Sequence, residues 1–114
     1  MEKIYFRLDC GLCVNPNVVR SQIEGRIIMG ISLAMSEKLT IKAGSIAETN
    51  YDEYKIAKRK HTPEIDIEIV ESDLPLSGVG EPPVAPVIPA ITNAIFVATG
   101  RRIRKLPIGK DRLI

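Results

Sequence analysis

The sequence predicts an α+β domain, with one mostly antiparallel sheet and two principal helices. Three observations carry that prediction. Ile4, Phe6 and Leu8 alternate with Tyr5 and Arg7, and Ile65, Ile67 and Ile69 alternate with Asp66 and Glu68, the period-two pattern of half-buried strands. Between them Val19, Ile23, Ile27, Ile31 and Ala34 or Met35 recur at the three-to-four spacing of one helical face. After a Pro/Gly-rich stretch from Ser72 to Pro83, an apolar run to Thr99 reads as a second helix. Elements in this order place both helices on one face of the sheet.

The first strand ends at Asp9 to Gly11, and Asn15-Pro16-Asn17 forms a turn and a helix entry. The first helix is expected from Val18 to about Glu37. Gly25 and Gly30 lie inside it, each at a cost of up to about 1 kcal/mol against alanine, which points to close packing or ligand approach on that face. Leu39 to Lys42 and Ser45 to Ala47 read as a hairpin whose turn, Ala43-Gly44, uses glycine for positive φ. Residues 48 to 63 are polar and irregular, with Tyr51 and Tyr54 as anchors and His61 in an exposed loop. Pro86 and Pro89 delay regular helix to between Val84 and Ala90, Gly100 stops it, and Ile103 with Leu106 suggests a last short extended segment.

At 114 residues the chain is expected to form a single domain, 1–114, able to bury roughly 65% of its unfolded surface. Sixteen basic and 14 acidic residues leave a net charge of +2, too balanced to attract nucleic acid. The cluster Arg101, Arg102, Arg104 and Lys105 follows the second helix, where cations suit the negative end of its dipole. No stretch approaches the roughly 18 apolar residues of a membrane span, and no signal peptide is visible, so cytoplasmic residence is expected if the chain acts alone. Cys10 and Cys13 form a lone Cys-Gly-Leu-Cys, expected as free thiols; no metal site is expected from them and His61.

Gly78-Val79-Gly80-Glu81-Pro82-Pro83 sets one carboxylate on a glycine hinge backed by two stiff prolines. Two readings of it stand: a surface glutamate in a Gly/Pro loop, or a base whose pKa is raised by desolvation.

Taken together with Asp9-Cys10-Gly11, Asn15-Pro16, Gln22-Ile23-Glu24-Gly25 and Ala98-Thr99-Gly100-Arg101-Arg102-Ile103, this loop completes an order of motifs. That order resembles the C-terminal molybdopterin-binding part of the large subunit of the xanthine dehydrogenase family, most of all its isoquinoline 1-oxidoreductase beta-subunit and aldehyde oxidoreductase branch. The resemblance covers about Ile4 to Leu106 and departs at Arg26, where this branch commonly has another glycine. It implies that Glu81 is the general base beside molybdenum, taking the proton of a metal-bound hydroxyl that attacks an aldehyde or N-heterocycle carbon while hydride passes to a metal sulfido group. It implies that Gln22 contacts the molybdopterin cofactor. Gly25 and Gly80 then let the backbone approach that cofactor.

Family large subunits are several times longer, so the expected partners are the remaining molybdopterin-binding portion and an iron–sulfur subunit. The chain is accordingly expected to be a C-terminal fragment or split subunit, binding no cofactor in isolation and inactive without the upstream portion. The alternative is a non-catalytic remnant or an isolated α+β domain that oligomerises and binds no cofactor. In either case apolar surface left uncovered predicts an oligomer for the isolated chain.

Overall fold

A computed structural model describes residues 1–109. Strand β1 (Lys3–Leu8) leads through a turn into helix α1 (Pro16–Met35); a small hairpin, β2 (Ile41–Lys42) and β3 (Ser45–Ile46), follows. A single 3₁₀ turn at Arg59–His61 precedes strand β4 (Glu64–Ile69), and helix α2 (Val84–Thr99) comes last.

Helix α1 begins two residues earlier than its apolar periodicity suggests. Pro16 arrives with its φ already helical, and the Asn15 side chain accepts a hydrogen bond from the Val18 N–H at 3.2 Å, capping the first turn. The helix ends where the Ser36 and Glu37 N–H groups both close onto the Ser32 carbonyl, at 2.9 and 3.1 Å. Ser32 is itself buried, and its hydroxyl accepts the Ala57 N–H at 2.8 Å, pinning the irregular 48–63 segment to the helix end. Helix α2 becomes regular at Val84 despite Pro89 in its interior; Ala85, whose carbonyl loses its partner there, is exposed and can be hydrated. Gly100, at φ 72°, closes it as expected by donating its N–H to Phe96 O at 2.7 Å.

The sheet differs from the expected single, mostly antiparallel one. There are two separate two-stranded sheets, and the larger joins β1 to β4 in parallel, with Lys3 opposite Glu64 and Leu8 opposite Ile69. The physical reason is the twenty-residue helix between the two strong strands: a chain that leaves one end of a strand through a helix returns pointing the same way. The β2–β3 hairpin is exposed at every position and stands apart, so it cannot join that sheet. Its turn holds both central residues at positive φ, Ala43 at 48° and Gly44 at 82°, where only the glycine was expected. The extended segment expected at Ile103 and Leu106 is absent as well: residues 101–109 contain no strand. They are tied instead to α1, the Ile108 N–H meeting the Ala34 carbonyl at 2.7 Å.

One apolar cluster unites these elements. Ile23, Ile27, Ile31 and Ala34 of α1 meet Ile67 of β4, Val87 and Ile91 of α2, and Ile108. The face of α1 predicted from spacing is thus the buried one. On the far side of the sheet Lys3 bridges Glu64 at 2.8 Å and Asp66 at 3.1 Å, and Arg7 bridges Glu68 at 2.7 Å. Alternation along each strand therefore separates an apolar inner face from an ion-paired outer one.

Candidate functional site

The site assembles where the N-terminal half of α1 meets the loop that enters α2. Gln22 lies on α1 one turn before Gly25, so both project from the same side of the helix. The Gln22 Nε2 donates to the Gly80 carbonyl at 3.1 Å, across 58 residues of sequence. This one bond brings together two of the four residues singled out by sequence, with Glu81 next in the chain.

The loop is rooted on both sides. Downstream, Pro83 is fully buried and the Val84 N–H bonds to the Glu81 carbonyl at 2.9 Å, so the two prolines do hold the exit from Glu81 on a fixed base. Upstream, residues 74–77 run beside the turn that follows β1: the Leu12 N–H meets Leu74 O at 3.2 Å, and the Ser77 N–H meets Cys10 O at 3.0 Å. Gly11 permits this contact. Its φ is 68°, and a Cβ there would stand 2.2 Å from the Pro75 carbonyl oxygen, so only glycine fits. The Asp9 carboxylate accepts the Gly11 N–H at 3.0 Å and shapes the turn. This support was missed from the sequence; Asp9-Cys10-Gly11 signalled a turn but gave no hint of which segment the turn would meet.

The glycines divide by role. A Cβ at Gly30 would meet Val87 Cβ at 2.9 Å and the Val84 carbonyl at 3.0 Å, so that glycine serves the contact between the helices. Gly25 and Gly80 have nothing within 4 Å of such a Cβ, and both are exposed. Among the described residues nothing covers the backbone at either position. Arg26, the departure noted beside Gly25, lies along the helix with its guanidinium donating to Met29 Sδ at 3.4 Å. Glu81 is exposed, so its carboxylate is covered by nothing within residues 1–109.

A groove of about 340 Å³ lies between β1 and α2, lined by Tyr5, Val87, Ala90 and Ala94 among others. It shares no residue with Gln22, Gly25, Gly80 and Glu81. The candidate site is placed at the Gln22–Gly80 bond because an amide meets open backbone there with Glu81 next in the chain, whereas the groove is mainly apolar. Among the described residues no group of three His, Cys, Asp or Glu side chains could hold a metal ion directly. The cluster does suit a polar organic group approaching from outside: Gln22 keeps a carbonyl acceptor and a second N–H for it, and Gly25 and Gly80 leave room at the backbone.

Residues 1–63 match the model of the molybdopterin cofactor-binding domain family. The chain belongs to that family. It is 32% identical over 108 residues to the beta subunit of isoquinoline 1-oxidoreductase of Brevundimonas diminuta, an alignment covering 95% of this chain and 14% of that subunit. It is 36% identical to a putative xanthine dehydrogenase molybdenum-binding subunit of Escherichia coli, over 92% of this chain and 15% of the relative. Among solved structures, quinoline 2-oxidoreductase from Pseudomonas putida superimposes with a TM-score of 0.88 at 25% identity, covering 98% of this chain and 15% of that one. The chain thus spans about one-seventh of the length of these relatives, and it belongs to the xanthine dehydrogenase family through its likeness to the molybdenum-binding subunits. Its resemblance to such large subunits, expected from the order of motifs, is borne out.

Proposed function

We propose that the chain forms one wall of the cofactor site in a molybdenum hydroxylase that oxidises an aldehyde or an N-heterocycle, with Glu81 as general base. The Gln22–Gly80 hydrogen bond carries the proposal, because it joins the amide that the family resemblance assigns to the cofactor to the loop bearing the glutamate. When bound, the molybdenum cofactor supplies an oxidising metal centre and acidifies the oxygen that attacks the substrate carbon.

The residues of this chain do the rest. Gln22 orients the pterin through the amide groups left over from its bond to Gly80, and Gly25 and Gly80 allow the backbone to lie against it. Glu81, held on the Pro82-Pro83 base, accepts the attacking oxygen's proton on a carboxylate oxygen. Because Glu81 and Gly80 are exposed here, exclusion of water falls to the remaining molybdopterin-binding portion, with an iron–sulfur subunit carrying electrons away. The unit is read as a single domain over 1–114, inactive and free of cofactor without that portion.

The test is an affinity purification of the tagged chain from its native cells, with molybdenum and iron quantified in the eluate. Both metals are expected, together with larger subunits. In that assembly Glu81→Gln should abolish turnover and leave the molybdenum content intact; undiminished turnover would remove Glu81 from the base role. A second reading, a cofactor-free domain that self-associates, draws on the exposed apolar side chains Ile41, Leu76 and Val97. A metal-free chain eluting alone and as an oligomer would favour it.

A further inference from the structure

The Cys-Gly-Leu-Cys turn between β1 and α1 takes no part in the site chemistry above, yet its two thiols are placed as a pair. Gly11 at positive φ bends the chain between them, and Cys13 lies beside the Cys10 thiol, which donates to the Gly11 carbonyl at 3.9 Å. Cys10 is buried, 3% exposed, whereas Cys13 is half-buried and reachable from solvent. Both are free thiols, and among the described residues no third His, Cys, Asp or Glu joins them in a metal-binding group. Paired thiols with one accessible member and no metal partner set are suited to disulfide exchange.

We propose that Cys10 and Cys13 are a redox modification site, in which a low-molecular-weight disulfide such as oxidised glutathione converts the pair to an intramolecular disulfide. The Cys13 thiolate attacks one sulfur of that reagent, its S–S bond breaks, and one thiolate leaves and is protonated. Cys10 then gives up its proton and attacks Cys13 Sγ, forming the Cys10–Cys13 bond and releasing the second thiol. Two cysteine thiols are oxidised, one reagent disulfide is reduced to two thiols, and the two protons pass to the leaving groups. The order follows from exposure: the reagent reaches half-buried Cys13 before buried Cys10.

Burial, the largest cause, raises the pKa of Cys10, helped by Cys13 beside it. A thiol disfavoured as thiolate attacks slowly and leaves slowly, so the disulfide forms gradually and persists once formed. Its position gives the bond a mechanical effect. The carbonyl of Cys10 accepts the Ser77 N–H, and Leu12, inside the closed loop, donates to Leu74 O. Bridging residues 10 and 13 therefore fixes the surface on which residues 74–77 rest, one residue before the Gly78 to Glu81 loop.

The test is titration of the full chain with oxidised glutathione, followed by thiol counting, peptide mass analysis and amide exchange. Both thiols are expected to disappear together, the peptide holding residues 10–13 becoming two hydrogens lighter, with slower exchange at Leu12 and Ser77. In Cys13→Ser, Cys10 should keep its thiol under the same conditions. Intact thiols, a stable glutathione adduct on Cys13 beside a free Cys10, or a disulfide between two chains would overturn the modification site. Formation of the bond with unchanged exchange at Ser77 would overturn the mechanical effect.

Discussion

The two halves of helix α1 face different worlds. From Ile27 to Ala34 the helix is welded into the domain: Ile27 and Ile31 are buried, Gly30 lets α2 approach until an added methyl would have no room, and the carbonyls of Ser32 and Ala34 tie down neighbouring chain. Earlier in the helix Ile23 still faces the core, but Gln22 reaches the Gly80 carbonyl and Gly25 is exposed with nothing within 4 Å of where a Cβ would stand. The same residue type marks both halves, but Gly30 is explained by what touches it and Gly25 by the space around it. A glycine in a helix thus acquires meaning only from its neighbours.

That contrast can be broken at either end. Ile27→Ala should cost about 2–5 kcal/mol in chemical denaturation, since it empties space at the centre of the apolar cluster. A smaller loss would mean that the cluster collapses to fill the gap. Gly30→Ala should cost about 1–3 kcal/mol, because the new methyl meets the Val84 carbonyl as well as the Val87 side chain. Gly25→Ala should act in the opposite direction, raising the stability of the chain by up to about 1 kcal/mol through helix propensity. In the assembled enzyme the same change should lower molybdenum content; full content with normal activity would detach Gly25 from the cofactor.

The smallest effect is expected at the hairpin, where single polar contacts replace packing. The Glu48 carboxylate accepts the Thr40 N–H at 2.7 Å, and this backbone hydrogen bond holds its pKa below the usual carboxylate range. A depressed folded-state pKa contributes stability above the unfolded value and loses it as pH falls through the folded one. Acidification should therefore release the Thr40 amide, seen as a shift and faster exchange, while amides of α1 around Ile27 stay protected. Simultaneous loss of both would show that the hairpin and the core open as one unit.

Local patterns were legible where one face of an element is buried. The alternation at Ile4, Phe6 and Leu8 and the spacing from Val19 to Ala34 predicted both β1 and the buried stripe of α1, because burial imposes the period. Strand direction was not legible, since side-chain alternation is the same in parallel and antiparallel pairs; the helix between the strands held the only clue. At the site, the loop carrying Glu81 and the helix carrying Gln22 stood out by residue type. Their meeting through one hydrogen bond, and the support of residues 74–77 by Cys10 and Leu12, depend on contacts between distant segments with no local signature.

The parallel pairing of β1 with β4 also has a consequence in time. Lys3 is synthesised about sixty residues before its partner Glu64, an interval of about 3–12 s at ordinary elongation rates. Throughout it Ile4, Phe6 and Leu8 have no neighbouring strand, and the closure that finally pairs them spans more than half of the chain. A topology dominated by so distant a contact folds slowly for its size. The first strand of this domain to be synthesised is thus among its last elements to find a place, and the nascent chain is the form in which this domain is most exposed to aggregation.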